Sequence, residues 1–153
     1  MPNFKTHQYI NYIILVLISV FLYYLHQLNY LFLLFIIGYT IGTEFITPDL
    51  DINSKPSNNM LWFLYKRLSH HRGKTHVLVY GFLFPILYLT IILSVIIYLI
   101  GIISGVNNLL YLFAENSFRL ILQYNIYVLI FISGIGIANG IHIVTDKILS
   151  KRK

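Results

Sequence analysis

The chain has 153 residues, one domain's length, of which 58% are hydrophobic and 10% charged, with a mean hydropathy of +0.74. An average soluble domain carries roughly 25% charged residues, so the polar surface here is too small for a water-soluble particle, and the apolar excess is expected to face lipid. Cysteine is absent, which excludes disulfides, thiolate zinc sites and cysteine nucleophiles.

Residues 8–25 form the first apolar run, eighteen residues without a charge. That is just enough to cross a hydrocarbon core of ~30 Å at about 1.5 Å per residue. No small-residue cleavage site follows it, so a retained span is expected and not a signal peptide. His26, Gln27 and Asn29 mark a tight hairpin, and residues 28–46 return as a second span that ends before Pro48. Residues 49–59 have turn chemistry. The segment 60–68, MLWFLYKRL, is too short to span. Its Trp62, Tyr65, Lys66 and Arg67 suit a short helix lying in the membrane interface.

Residues 77–103 form the third span, which Gly81 and Pro85 can kink near its start. Residues 104–118 read as a connector with a short interfacial piece at 109–114. Residues 120–143 form the fourth span, followed by Asp146 and a basic tail at 147–153. The expected fold class is therefore all-α. One transmembrane domain, an integral membrane four-helix bundle, carries a short interfacial helix and a polar loop.

An even number of crossings places both termini and the polar stretch 47–76 on one membrane face. Ten of the eleven basic residues, Lys5, Lys55, Lys66, Arg67, Arg72, Lys74, Lys147, Lys151, Arg152 and Lys153, fall on that face, and Arg119 alone on the other. By the positive-inside rule it is the cytoplasmic face. The same placement assigns the formal +6 charge to a membrane surface, and no nucleic-acid partner is expected.

The stretch 47–76 holds two of the three aspartates, three of the six histidines and five of the basic residues. Asp49 and Asp51, two apart after Pro48, can aim at one ion or at two neighbouring ions. His71 and His76, five apart, would be ~140° apart on a continuous helix and meet only if the chain bends, as Gly73 permits. His142 and Asp146, four apart on a helix, share one face, and His7 opens the first span. These seven residues are the candidate metal ligands. A set of imidazoles and carboxylates fits Zn, Mn or Fe(II) better than Ca or Mg, and seven ligands exceed the need of one tetrahedral ion, so one or two ions are expected. Singly, each histidine reads as an interfacial side chain. Their convergence on one face of a chain with five acidic residues favours metal. His26 reads as interfacial, His70 as a bystander, and the many Tyr and Phe residues as belt and packing.

The blocks Thr6-His7, P-D-L-D-I at 48–52, W-F-L-Y at 62–65, H-R-G-K-T-H at 71–76 and the closing H-x-x-x-D resemble a family of small, uncharacterised metal-binding membrane proteins. That family is similar to the YdjM-like inner-membrane metal-dependent hydrolases. The resemblance runs through nearly the whole chain. It implies metal binding at His7, Asp49, Asp51, His71, His76, His142 and Asp146 and, beyond that, hydrolysis.

As a metal-dependent hydrolase the protein would take a phosphoester or lipid-like substrate at the cytoplasmic membrane face. Glu44, Asp49 or Asp51 would accept the proton, and Arg67, Arg72 and Lys74 would hold the anionic group. The same cations can instead anchor to lipid phosphates. A metal transporter or sensor is the second reading, against which the middles of the spans lack polar groups: Asn11, Glu44 and Asn139 all lie near the motif face. A membrane assembly subunit with a structural metal is the third. No H-E-x-x-H metalloprotease motif occurs. The lysine–arginine–proline and serine–glycine–histidine blocks of the histidine lipid phosphatases are likewise absent. Oligomer formation is left open.

Overall fold

Apolar runs in which every backbone group must bond internally become helices, and the stops between them are local. The computed structural model describes residues 4–25, 29–51, 60–68, 78–106 and 108–150, with the backbone alone at 4, 49, 51, 60, 68, 78–80 and 150. The helices are α1 (Phe4–Tyr24), α2 (Tyr30–Glu44), α3 (Phe63–Leu68), α4 (Leu78–Ser104), α5 (Leu109–Gln123) and α6 (Asn125–Ser150). Single 3-10 turns lie at Pro48–Asp51 and Met60–Trp62, and no strand occurs among the described residues.

Several boundaries have clear causes. Asn29 caps α2, its side-chain oxygen accepting from the amides of Leu31 and Phe32. At the end of α4, Gly105 adopts φ +73°. The amide of Val106 donates to Gly101 O and that of Gly105 to Ile102 O, the bond pair of a Schellman stop. α4 itself continues unbroken through Pro85.

Among the described residues, three helices are long and apolar enough to cross a membrane: Lys5–Tyr24, Gly81–Ser104 and Asn125–Leu149. The second expected span, 28–46, is a shorter apolar helix of 15 residues, Tyr30–Glu44. At 1.5 Å per residue α2 reaches only ~22 Å, short of a ~30 Å core. Its cap at Asn29 and its stop at Phe45 trim both ends. The expected connector at 104–118 is also corrected. The helical turns continue to Gln123 as α5, a helix with no buried residue, in which Arg119 Nη2 pairs with Glu115 Oε1 at 2.6 Å. The last span accordingly starts at Asn125, after a break at Tyr124, and runs on to Ser150.

The principal contact is between α2 and α6, and small residues make it possible. A Cβ added at Gly38 would fall well inside 3.0 Å of the backbone oxygen of Phe131, and one added at Gly134 would strike Phe35 O and Tyr39 N. Gly42 lies against Ile135 and Ala138 in the same way. Gly38-x-x-x-Gly42 on one helix thus meets Gly134-x-x-x-Ala138 on the other, the small-residue packing by which apolar helices approach closely without a hydrophobic driving force. Tyr39, Leu15 and Ala138 form the core where α1 closes over this pair, flanked by Phe35, Ile36 and Ile141.

Hydrogen bonds fix α1 in register. Gln8 Nε2 donates to Glu44 Oε1 and Oε2 at 2.8 and 2.7 Å, and the Tyr12 hydroxyl to Glu44 Oε1 at 2.6 Å. Deeper in, the Tyr39 hydroxyl donates to Asn11 O at 2.9 Å. The start of α1 and the end of α2 therefore share one end of the bundle.

The second core cluster is Leu50, Trp62 and Tyr65, backed by Tyr88 and Leu89. Trp62 stacks on Tyr88 with ring centroids 5.7 Å apart, and the Tyr88 hydroxyl donates to Leu61 O at 2.6 Å. Read from sequence as interfacial side chains, Trp62 and Tyr65 are instead buried against α4 and the 3-10 turn, while Leu61, Phe63 and Leu64 stay exposed. The aromatic face of Tyr88 offers them better packing than a lipid headgroup layer.

Gly38→Ala should lower stability by about 1–3 kcal/mol, since backbone atoms cannot yield to a new methyl. Gly136→Ala, whose Cβ would meet nothing nearer than the Phe82 ring at 3.9 Å, should be neutral or slightly stabilising. Thermal unfolding of the two variants in detergent checks the contrast.

Candidate metal centre

The end of the bundle shared by α1 and α2 also receives the last turns of α6. There His7, near the start of α1, meets His142 and Asp146 of α6, joining residues far apart in the chain. The two imidazoles stack at 4.0 Å between centroids and 17° between planes. Nε2 of His7 lies 3.2 Å from Asp146 Oδ1, and Nε2 of His142 lies 3.9 Å from Asp146 Oδ2. Each histidine is only 3% exposed, and Asp146 is partly exposed at the rim.

One ligand atom from each of the three residues can be chosen such that all lie within 4.8 Å of one another. Two ligands of a tetrahedral zinc with bond lengths near 2.05 Å stand ~3.3 Å apart, so small side-chain rotations bring the three onto one ion. The donor set fits a borderline divalent cation: two nitrogens, one carboxylate and no sulfur. A second feature points the same way. His7 Nδ1 and both polar atoms of the Asn139 amide are buried without a hydrogen-bond partner among the described residues. Each such atom costs about 1–3 kcal/mol unless something polar meets it, so this end of the bundle is built around polar material and not around apolar filling.

Local structure explains the convergence. His142 and Asp146 are separated by four residues within α6 and so stand on one face of it. Asn139 adds a third position on that stripe, as Asn11 does below His7 on α1. Asn11 and Asn139, 2% and 1% exposed, with Tyr39 and Thr43 beside them, form a polar layer one turn beneath the histidines.

The other expected site residues divide into four groups. The backbone of Asp49 and Asp51 forms the 3-10 turn Pro48–Asp51 directly after α2, and this turn touches α6 and α3. It is anchored by the buried Leu50, with Thr47 and Pro48 also buried. Glu44 lies outside the His/His/Asp group and is bonded to Gln8 and Tyr12. Arg67 lies over the Phe63 ring at 4.7 Å on the exposed side of α3. His71, Arg72, Lys74 and His76, together with His26 and His70, lie outside the described residues.

With this geometry in view, the chain belongs to the family described as "Uncharacterized metal-binding protein (DUF2227)", which it matches over residues 2–153. Over 59 residues it is 48% identical to a protein of Aquifex aeolicus (strain VF5) described as "Uncharacterized protein". That match covers 35% of this chain and 42% of the relative, so it spans less than half of the relative's length. No solved structure matches the chain.

If the group holds an ion, Asp146→Asn and His7→Gln should each weaken binding of added Zn²⁺ at least about 10-fold. Glu44→Gln, outside the group, should leave it unchanged. Isothermal titration in detergent separates the three.

Proposed function

We propose that the protein is a membrane-bound metal-dependent hydrolase acting on a phosphoester or lipid-like substrate at the cytoplasmic membrane face. The observation that carries this reading is the meeting of His7, His142 and Asp146 at one end of a bundle whose long helices suit a bilayer. Asp49, Asp51, His71 and His76 are proposed to complete the ligand set, with Zn or Mn, or else Fe, as one or two ions. A cation held there supplies Lewis acidity toward a phosphoryl or carbonyl oxygen.

The chain's own residues have the remaining work. Glu44, Asp49 or Asp51 is proposed as the proton acceptor. Glu44 suits this role because its carboxylate is oriented by two neutral donors, Gln8 and Tyr12, and among the described residues no cation neutralises it. Arg67, Arg72 and Lys74 are proposed to hold the anionic group of the substrate, a role suited to side chains beside a headgroup layer. The cytoplasmic assignment is supported by the ten-to-one distribution of basic residues.

Purified protein loaded with Zn²⁺ or Mn²⁺ should cleave at least one member of a panel of phosphomonoesters, phosphodiesters and carboxylic esters, including phospholipids in mixed micelles. Asp146→Asn should abolish that cleavage. A panel without turnover by protein shown to carry metal would favour a structural ion instead.

A further inference from the structure

We propose that Asn139 is a positioning residue for His7: one buried water accepts the Nδ1–H hydrogen bond of His7 and donates to the Asn139 amide oxygen, which keeps the proton on Nδ1 and leaves Nε2 as the nitrogen that ligates the ion. This rests on the metal reading of the His7, His142 and Asp146 group and adds to it a residue that touches neither ion nor substrate.

Asn139 is 1% exposed, and both its polar atoms lack a hydrogen-bond partner among the described residues. The one other buried polar atom in the same position, setting aside His142 itself, is His7 Nδ1. His142 links the two residues. Asn139 precedes His142 by three residues on α6, about 300° of helical turn, and so shares its stripe one turn deeper in the bundle. His142 in turn stacks on the His7 ring at 4.0 Å. The floor beneath them is fixed: the Tyr39 hydroxyl holds Asn11 O at 2.9 Å, and Tyr39 packs beside Ala138, next to Asn139.

A metal-ligating histidine nearly always gives its other ring N–H to a carboxylate, a carbonyl or a water, which fixes its tautomer and orientation. For His7, the Nε2 edge faces Asp146 at 3.2 Å, so the edge that needs this support is Nδ1. A buried water typically joins two to four otherwise unsatisfied polar groups. One water accepting from His7 Nδ1 and donating to Asn139 Oδ1 supplies the support that His7 needs and a partner for the amide oxygen of Asn139. Asn is suited to the place because it accepts a proton bond without adding charge beside the imidazole pair.

The test uses the full-length protein in detergent and Co²⁺ or Zn²⁺ as probe. Asn139→Leu should weaken metal binding about 10- to 100-fold and alter the visible absorption of bound Co²⁺. Asn139→Asp, which keeps the accepting oxygen, should restore affinity. Equal affinity and spectrum in wild type and Asn139→Leu overturn the role of Asn139 while leaving the metal site in place. Failure of the wild type to bind either ion overturns the metal reading and this inference with it. If Asn139→Leu does not fold, the ¹⁵N spectrum of histidine-labelled, Zn²⁺-loaded wild type decides: a proton on His7 Nδ1 supports the assignment, and one on Nε2 overturns it.

Discussion

The contact between α2 and α6 is close enough that a single methyl group at Gly38 or Gly134 would collide with backbone atoms of the opposite helix. Its register fixes the rest. Because α6 can seat on α2 in only one way, Tyr39 arrives beside Ala138, and α1 closes over both through Leu15, Asn11 and the Gln8–Glu44–Tyr12 bonds. Only then does His7 reach the level of His142 and Asp146. A one-residue slip would turn the α6 stripe by about 100° and carry both ligands away from α1.

The polar end sits on an otherwise apolar frame, and the two parts have opposite energetic characters. The glycine contact stabilises through dispersion between closely approaching backbones. The layers of His7, His142 and Asp146, and of Asn11 and Asn139 beneath them, contain buried polar atoms that weaken the fold unless something fills their hydrogen-bonding or ligand capacity. Stability given up at one end of a bundle that is well packed elsewhere is the usual mark of a site. Membership of a metal-binding family agrees with that reading.

Much of this was legible in the sequence, for physical reasons that also set the limits. The helical character and the pairing of His142 with Asp146 follow from apolar run length and a four-residue spacing, both local properties. The approach of His7 to that pair is what an even number of chain reversals implies, and α2, though only 15 residues long, makes the first return. The break at Tyr124 was missed because 109–123 is amphipathic and 125–149 apolar, and hydropathy alone does not mark the seam between them. Trp62 and Tyr65 were misplaced because aromatic side chains suit both an interface and a core, and the Tyr88 ring that decides between them is distant in sequence. The small-residue motifs at Gly38/Gly42 and Gly134/Ala138 were visible signals for helix pairing that span counting does not use. The clasp on Glu44 and the isolation of Asn139 depend on long-range contacts and have no local signature.

The claim on which everything functional depends is that His7, His142 and Asp146 hold a cation together. Anomalous diffraction from crystals grown with Zn²⁺, recorded on both sides of the zinc edge, tests it most directly. The account predicts a peak about 2.0–2.2 Å from an imidazole nitrogen of each histidine and from an Asp146 oxygen. A peak elsewhere on the chain, with His7 and His142 still stacked and turned toward Asp146 as a purely hydrogen-bonded group, would contradict it.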